Sequence, residues 1–104
     1  MTRKRFAVPM EGNVLSAHFG HCQAFAFVDV ENNNITKVTV LDPPEHQPGT
    51  FPKWVAENGA TEVIAGGMGV RAQELFNAAG VEVVTGAPSV GPEEVVRQYL
   101  SGTL

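Results

Sequence analysis

The residues best suited to bind a metal lie in one short stretch near the amino terminus. The sequence SAHFGHC contains the only cysteine, Cys22, and two of the three histidines, His18 and His21. Imidazole and thiolate are common ligands of zinc, iron and copper in proteins. In a helical turn His18 and Cys22 would share a face, although the glycine between them disfavours a regular helix. His46 lies in a later loop that could fold back over this stretch.

Three interpretations of this stretch remain open at the level of sequence. One thiol is a weaker metal signature than paired CxxC motifs, and the adjacent side chains of His21 and Cys22 point apart. Cys22 could instead fill space as a small hydrophobic residue. It could also be a nucleophile activated by a neighbouring imidazole, but the sequence supplies no clear orienting carboxylate or oxyanion hole.

A glycine loop is the second candidate site. Gly67 and Gly69, with Ala72 three residues later, fit the G-x-G-x-x-A form of the dinucleotide fingerprint between a predicted strand and a predicted helix. The N–H groups at such a helix start suit an anion, and Arg71 would add a positive charge. Met68 is either an exposed soft ligand or a residue that fills a packing gap.

The function of this loop also stays open. The next predicted strand ends without an acidic residue to hold a ribose, and the chain is short for a full dinucleotide fold. The loop therefore predicts an anion site, a tight turn for close packing, or a small-molecule or nucleotide-binding module that uses Gly66–Gly69.

The carboxylates do not suggest catalysis. Asp29 and Asp42 are the only aspartates, and the sequence places them in a strand and a loop. Four glutamates have spacings typical of solvated helix faces: Glu57, Glu74, Glu93 and Glu94. A two-metal nuclease needs several converging carboxylates, which this pattern does not provide. We expect a protein that is not an enzyme.

Composition limits the partners and the setting. The chain has 104 residues, 43% of them apolar and 17% charged, and we expect a single domain over residues 1–104. Its formal charge is −4, and its main basic cluster is Arg3-Lys4-Arg5, so we expect no nucleic-acid partner. No apolar run approaches the roughly 20 residues that span a bilayer. The lone cysteine and the lack of a signal-like apolar segment predict a cytoplasmic protein.

The first half of the chain favours strands. A short apolar run over residues 6–8 ends at Pro9, and residues 25–30 and 35–41 are rich in aromatic and β-branched side chains. An asparagine cluster joins the latter two runs, which predicts an antiparallel hairpin. Three prolines and a glycine over residues 42–49 predict a loop.

The second half alternates helix and strand. Phe51, Trp54 and Val55 form an apolar stripe that predicts a helix begun at Thr50 and ended at Gly59, with Trp54 in the core. Strands are expected over residues 61–65 and 81–86, and helices follow each of them. This order predicts an α/β fold: a mixed five-stranded sheet with helices on its faces, a parallel β-α-β unit and an antiparallel edge hairpin.

Taken together, these motifs resemble the dinitrogenase iron-molybdenum cofactor biosynthesis family. The resemblance covers nearly the whole chain, and its most specific parts are His18-Phe19-Gly20, the helix start Phe51-Pro52 and the Gly66–Gly69 loop. It implies a small α/β domain with a ribonuclease-H-like motif, without that enzyme's activity. It also implies binding or carrying of an iron-sulfur or molybdenum-containing cluster.

The resemblance assigns the cluster contact to His18 first and to Cys22 second, with His21 and His46 as further candidates. It implies an iron-sulfur or iron-molybdenum type cluster as cargo and a cluster donor or acceptor protein as partner. An anionic cluster would also gain from the helix start at Gly67–Gly69 and from Arg71. We expect a monomer or homodimer, and a role confined to binding a protein partner is a further alternative.

Overall fold

The computed structural model describes residues 3–17, 19, 22–45 and 50–104. These residues form six strands and three helices in the order given by the following bounds: β1 Arg3–Glu11, β2 Val14–Leu15, β3 Ala24–Glu31, β4 Asn34–Leu41, α1 Thr50–Glu57, β5 Glu62–Ile64, α2 Val70–Ala78, β6 Glu82–Val84 and α3 Pro92–Ser101.

The strands form one mixed sheet in the order β4-β3-β1-β5-β6, and β2 pairs with β1 outside this path. β3 is antiparallel to both β1 and β4, whereas β5 is parallel to β1 and β6 is parallel to β5. The predicted antiparallel hairpin and the parallel β-α-β unit are therefore confirmed.

The predicted number of five strands is wrong, because the described residues contain six. The additional strand is β2, which pairs Val14 with Glu11 and Leu15 with Met10. Gly12 makes the intervening turn possible, since its φ of 63° lies in the left-handed region that glycine adopts without a steric penalty. A two-residue strand is too short to produce a periodic sequence pattern.

Pro9 does not end β1, contrary to the sequence prediction. The carbonyl of Pro9 accepts a hydrogen bond from the Ser16 N–H at 2.8 Å, on the side of the strand that faces β2. In a strand the nitrogen and carbonyl of one residue point to the same side, so the Pro9 nitrogen also points away from β3. The N–H that proline lacks is therefore not needed for the hydrogen bonds between β1 and β3. β1 therefore continues to Glu11.

Helices cover both faces of the sheet. On one face α3 packs over Phe6, whose ring lies 5.4 Å from that of Tyr99. On the other face α1 packs over Phe25 and Phe27, whose rings lie 5.5 and 5.6 Å from Trp54. Trp54 therefore belongs to the packed interior, as its helical spacing predicted.

Arg5 joins three elements at the amino end of β1. Its Nε donates to the Asp29 carboxylate on β3 at 2.7 Å, and its Nη1 donates to the Asn58 carbonyl after α1, also at 2.7 Å. These charge-assisted bonds hold α1 against the sheet.

The ribonuclease-H-like motif that the resemblance implies stays a prediction. Within the described part of the chain, no helix is both long and apolar enough to cross a membrane.

Candidate functional site

The candidate site lies where the parallel strands β1, β5 and β6 end. Carboxyl ends of parallel strands meet at one edge of a sheet, and the connections that follow them form the usual binding crevice of open α/β sheets. Here these connections are the segment between β2 and β3, the glycine loop after β5, and residues 85–91 after β6. We call this region the carboxyl edge.

Backbone contacts tie the three connections together. The Gly86 N–H donates to the Gly66 carbonyl at 2.9 Å, and the Leu15 N–H donates to the Val90 carbonyl at 2.9 Å. A Cβ placed on Gly66 would lie 3.7 Å from the Cα of Ala17, the residue before His18. The glycine loop therefore packs directly against the segment that the sequence singled out for metal binding.

Gly67 and Gly69 leave the surface of this loop bare. Both residues are exposed, and a Cβ on either of them would meet no atom of the described chain within 4 Å. Neither residue has a φ in the left-handed region, so the backbone conformation does not require glycine at these positions. The bare loop therefore lets an external group approach the backbone closely.

The start of α2 adds hydrogen-bond donors to this surface. Gly69 is the N-cap residue, and no side chain in the described part of the chain caps the helix. The first N–H groups of a helix have no partner within the helix and favour an anion. Arg71 is exposed, and none of the ion pairs among the described residues involves its guanidinium group.

A hydrogen bond and apolar packing hold the glycine loop in place. The Gln73 side-chain amide donates to the Met68 carbonyl at 2.9 Å, which fixes the loop against the first turn of α2. Met68 is half-buried and packs against the apolar cluster beneath the carboxyl edge. This packing favours the gap-filling role of Met68 over that of an exposed ligand.

Phe19 anchors the segment between β2 and β3. It is 8% exposed, and its ring makes edge contacts with Phe25, Phe51 and Phe76 at centroid distances of 6.0, 5.7 and 5.5 Å. Sequence reasoning assigned no role to Phe19, although an aromatic residue enclosed by a polar, glycine-containing segment is a signal for such an anchor. Phe19 is therefore fixed in the apolar cluster beneath the carboxyl edge.

Cys22 lies beside the same cluster. The residue is half-buried, and burial raises the pKa of its thiol from 9.0 to about 11, against the opposing effect of a backbone hydrogen bond. The thiol is therefore protonated at neutral pH, which makes it a poor nucleophile. A metal bound by this sulfur would first have to displace its proton.

Cys22 is the one predicted metal ligand among the described residues. His18, His21 and His46 lie outside the described residues. Among the residues that are described, no three histidine, cysteine, aspartate or glutamate side chains come together as a metal site. The assignment of ligands to His18, Cys22, His21 and His46 stays a prediction.

The fold and the carboxyl edge define a class of one-domain α/β proteins with a bare, donor-rich loop that packs against Ala17. The chain belongs to the family described as dinitrogenase iron-molybdenum cofactor, whose model matches residues 2–102. The resemblance found in the sequence is thereby confirmed. The family description connects the chain with the iron-molybdenum cofactor.

Individual proteins share the sequence or the fold of this chain over most of its length. The crystal structure of PH0822 has 35% identity and a TM-score of 0.89, covering 96% of this chain and 91% of that one. The uncharacterized protein MJ0580 of Methanocaldococcus jannaschii is 29% identical, covering 96% of this chain and 88% of the relative. The apo form of the orange protein from Desulfovibrio gigas has 24% identity and a TM-score of 0.79, with 96% and 89% coverage, and shows a shared fold.

Proposed function

We propose that this protein is a non-enzymatic carrier that binds an iron-sulfur or molybdenum-containing cluster, or a precursor of one, at the carboxyl edge. The observation that supports the proposal most strongly is the bare loop at Gly67 and Gly69, in a chain of the iron-molybdenum cofactor family. Since neither backbone strain nor a packing contact with the described residues accounts for these two glycines, we attribute them to close approach of the cargo.

The donors around this loop suit an anionic cargo. Clusters that contain sulfide or oxo groups commonly carry negative charge, and hydrogen bonds to their sulfur atoms stabilise them. The N–H groups at the start of α2 would donate such bonds, and the exposed Arg71 would supply a positive charge. The whole chain has a formal charge of −4, which disfavours an anion. The N–H groups and Arg71 must therefore attract the cluster strongly enough to overcome this repulsion.

Direct ligands would come from the neighbouring segment. His18 is the first candidate, Cys22 the second, and His21 and His46 follow. Because the Cys22 thiol holds its proton at neutral pH, a bond to its sulfur would form only with loss of that proton. Few direct ligands and many N–H donors describe a site that retains a cluster and can also release it to an acceptor protein.

The non-enzymatic role, the partner and the location that we propose follow from a site that only binds and releases a cluster. Binding and release need no chemical step, and the described residues provide no group of carboxylates for metal-dependent hydrolysis. The partner would be a protein that donates or accepts the cluster. A cytoplasmic location fits a lone thiol that must stay reduced, because glutathione and thioredoxin keep cytosolic thiols reduced.

Anaerobic reconstitution tests the proposal. The purified protein is incubated with iron, sulfide and molybdate, and unbound material is removed by gel filtration. We expect a visible chromophore and metal to elute with the protein, and His18→Ala combined with Cys22→Ser to lower the retained metal. A protein without chromophore or metal after gel filtration would contradict the carrier function.

A small-molecule or nucleotide-binding module remains the second candidate, because a phosphate would use the same N–H groups. Thermal unfolding with a panel of nucleotides separates the two. A nucleotide at a hundred times its dissociation constant would stabilise the fold by about 2.7 kcal/mol. A shift with a nucleotide and none after reconstitution would favour this alternative.

A further inference from the structure

An apolar groove lies on the outer side of the two helices that cover one face of the sheet. Pro52 and Ala56 of α1 form one wall, and Leu75, Ala78 and Ala79 form the other at α2. The groove has a volume of about 450 Å³ and opens to solvent.

This face is not part of the core. Phe76 is the residue of α2 that points inward and is fully buried, so Ala78 and Ala79 lie on the exposed side. An amphipathic surface helix normally presents polar or charged side chains on that side. Arg71, Glu74 and Asn77 do so on α2, whereas the part of its outer surface that borders α1 presents Leu75, Ala78 and Ala79.

Two opposite charges border the groove on α1. Lys53 and Glu57 are both exposed, and they lie one helical turn apart on either side of Ala56. None of the ion pairs among the described residues involves either of them. Both charges are therefore available to a partner that approaches the groove.

We propose that this groove is the interface of a homodimer, filled by the same face of a second copy of the chain. In a two-fold dimer each surface meets itself, and with the axis perpendicular to α1 this helix would cross α1 of the second copy in antiparallel fashion. That arrangement places Lys53 of one copy opposite Glu57 of the other and repeats the pair across the axis. The small side chain of Ala56 allows the two helices to approach closely.

The arrangement leaves both cluster sites free. Phe51, in the first turn of α1, contacts Phe19 at the carboxyl edge. Antiparallel α1 helices put their first turns at opposite ends of the interface, so the two carboxyl edges lie apart. The dimer would therefore carry two independent sites, and its formation does not depend on the proposed cargo.

The groove is modest in size, so the dimer should be weak. Stable interfaces bury about 1,200–2,000 Å² in total, and smaller ones are transient. We expect a dissociation constant between about 1 µM and about 1 mM. Sedimentation velocity of the full chain from about 10 µM to about 1 mM should show a reversible rise toward the dimer mass.

Charge reversal tests the pairing. In a dimer of Lys53→Glu, the new carboxylate of each copy would face Glu57 of the other copy. In a dimer of Glu57→Lys, the new ammonium group of each copy would face Lys53 of the other. Because like charges repel, each variant alone should remain monomeric. A mixture of the two should form a heterodimer, and the double variant Lys53→Glu/Glu57→Lys should recover the homodimer. Both positions are exposed, so thermal unfolding should stay close to that of the wild type.

Two results would overturn this proposal. One is a wild-type chain that stays monomeric over the whole concentration range. The other is a dimer that neither single reversal weakens, which would put the interface elsewhere, for example at the edge strand β4 with its exposed Val40. Metal retention by the monomeric variants is measured separately, so failure of the dimer and failure of the carrier function remain distinguishable.

Discussion

Gly66 lies so close to Ala17 that a Cβ on the glycine would sit 3.7 Å from the Cα of Ala17 and 3.5 Å from the carbonyl oxygen of Ala87. This relationship joins three connections that are far apart in the sequence. It makes Gly66 a packing residue, in contrast to Gly67, its bare neighbour.

Substitution by valine should separate these two roles. Gly66→Val should destabilise the protein by about 1–3 kcal/mol, because its methyl groups would push the surrounding connections apart. Gly67→Val, whose side chain would enter open space, should change stability by less than about 1 kcal/mol. Denaturant unfolding of the two variants measures the difference. Equal losses of stability would show that the loop is packed differently.

A helix cap at Gly69 should affect stability and binding in opposite directions. Its φ of −64° and ψ of 154° suit an N-cap residue, so the hydroxyl of Gly69→Ser would accept hydrogen bonds from the first turn of α2. We expect a gain of a few tenths of a kcal/mol in stability. The same hydroxyl would occupy the N–H groups and lower the retention of an anionic cluster.

Thermal unfolding and metal analysis of Gly69→Ser check this prediction together. Gly91→Ser is the matched control, since Gly91 is the uncapped N-cap of α3. That variant should gain similar stability and lower metal retention less than Gly69→Ser does, because Gly91 belongs to the carboxyl edge but not to the glycine loop. A loss of metal in the control as large as in Gly69→Ser would argue against a role for the α2 start.

Replacement of Phe19 should release the segment that leads to Cys22. Phe19→Ala removes a ring that contacts three other phenylalanines, and we expect a loss of about 3–5 kcal/mol. Phe19→Leu retains most of the apolar volume and should cost clearly less. Denaturant unfolding measures both variants. A fully stable Phe19→Ala would exclude the anchoring role.

The Cys22 thiol should make stability depend on alkaline pH. Its folded pKa of about 11 exceeds the ordinary value of 9.0, so the native state holds the proton more tightly than the unfolded chain. This contribution is complete below about pH 9 and is lost as the pH rises through about 11. Two pKa units correspond to about 2.7 kcal/mol, and we expect about 1–2 kcal/mol for a half-buried group.

Cys22→Ala provides the comparison. The difference in unfolding free energy between the wild type and this variant should be constant up to about pH 9 and then shift in favour of the variant. Other titrating groups act in both proteins and cancel. Parallel stability curves up to pH values near about 11 would contradict the burial of the thiol.

Arg5 should matter for stability and not for the site. Arg5→Ala removes its bonds to Asp29 and Asn58, and we expect a loss of about 1.5–3 kcal/mol. Arg97→Ala is the control, because its ion pair with Glu93 is exposed and should contribute less than about 0.5 kcal/mol. Both variants should retain metal as the wild type does, since neither residue lies at the carboxyl edge.

Local patterns in the sequence were sufficient for much of the fold. The hairpin of β3 and β4 follows from β-branched runs around an asparagine turn, and α1 follows from the apolar stripe through Trp54. β2 escaped prediction because two residues have no period. Pro9 was misjudged because the side to which its nitrogen points depends on the strand register.

The candidate site was only partly predictable. Residue types alone pointed to the glycine loop and to Cys22. The contact of Gly66 with Ala17 and the anchoring of Phe19 arise from strand order, which local patterns do not encode. The pairing of Arg5 with Asp29 is similar, since it joins residues 24 positions apart.

The bare loop at the carboxyl edge is the site that we propose for an anionic metal cluster. Anaerobic reconstitution of the wild type and of Gly67→Val with iron, sulfide and molybdate, followed by gel filtration and metal analysis, tests this proposal. We expect metal and a visible chromophore on the wild type, and at least a several-fold loss of bound metal in Gly67→Val, whose stability should change by less than about 1 kcal/mol. A wild type without bound metal, or a variant that retains as much as the wild type, would contradict it.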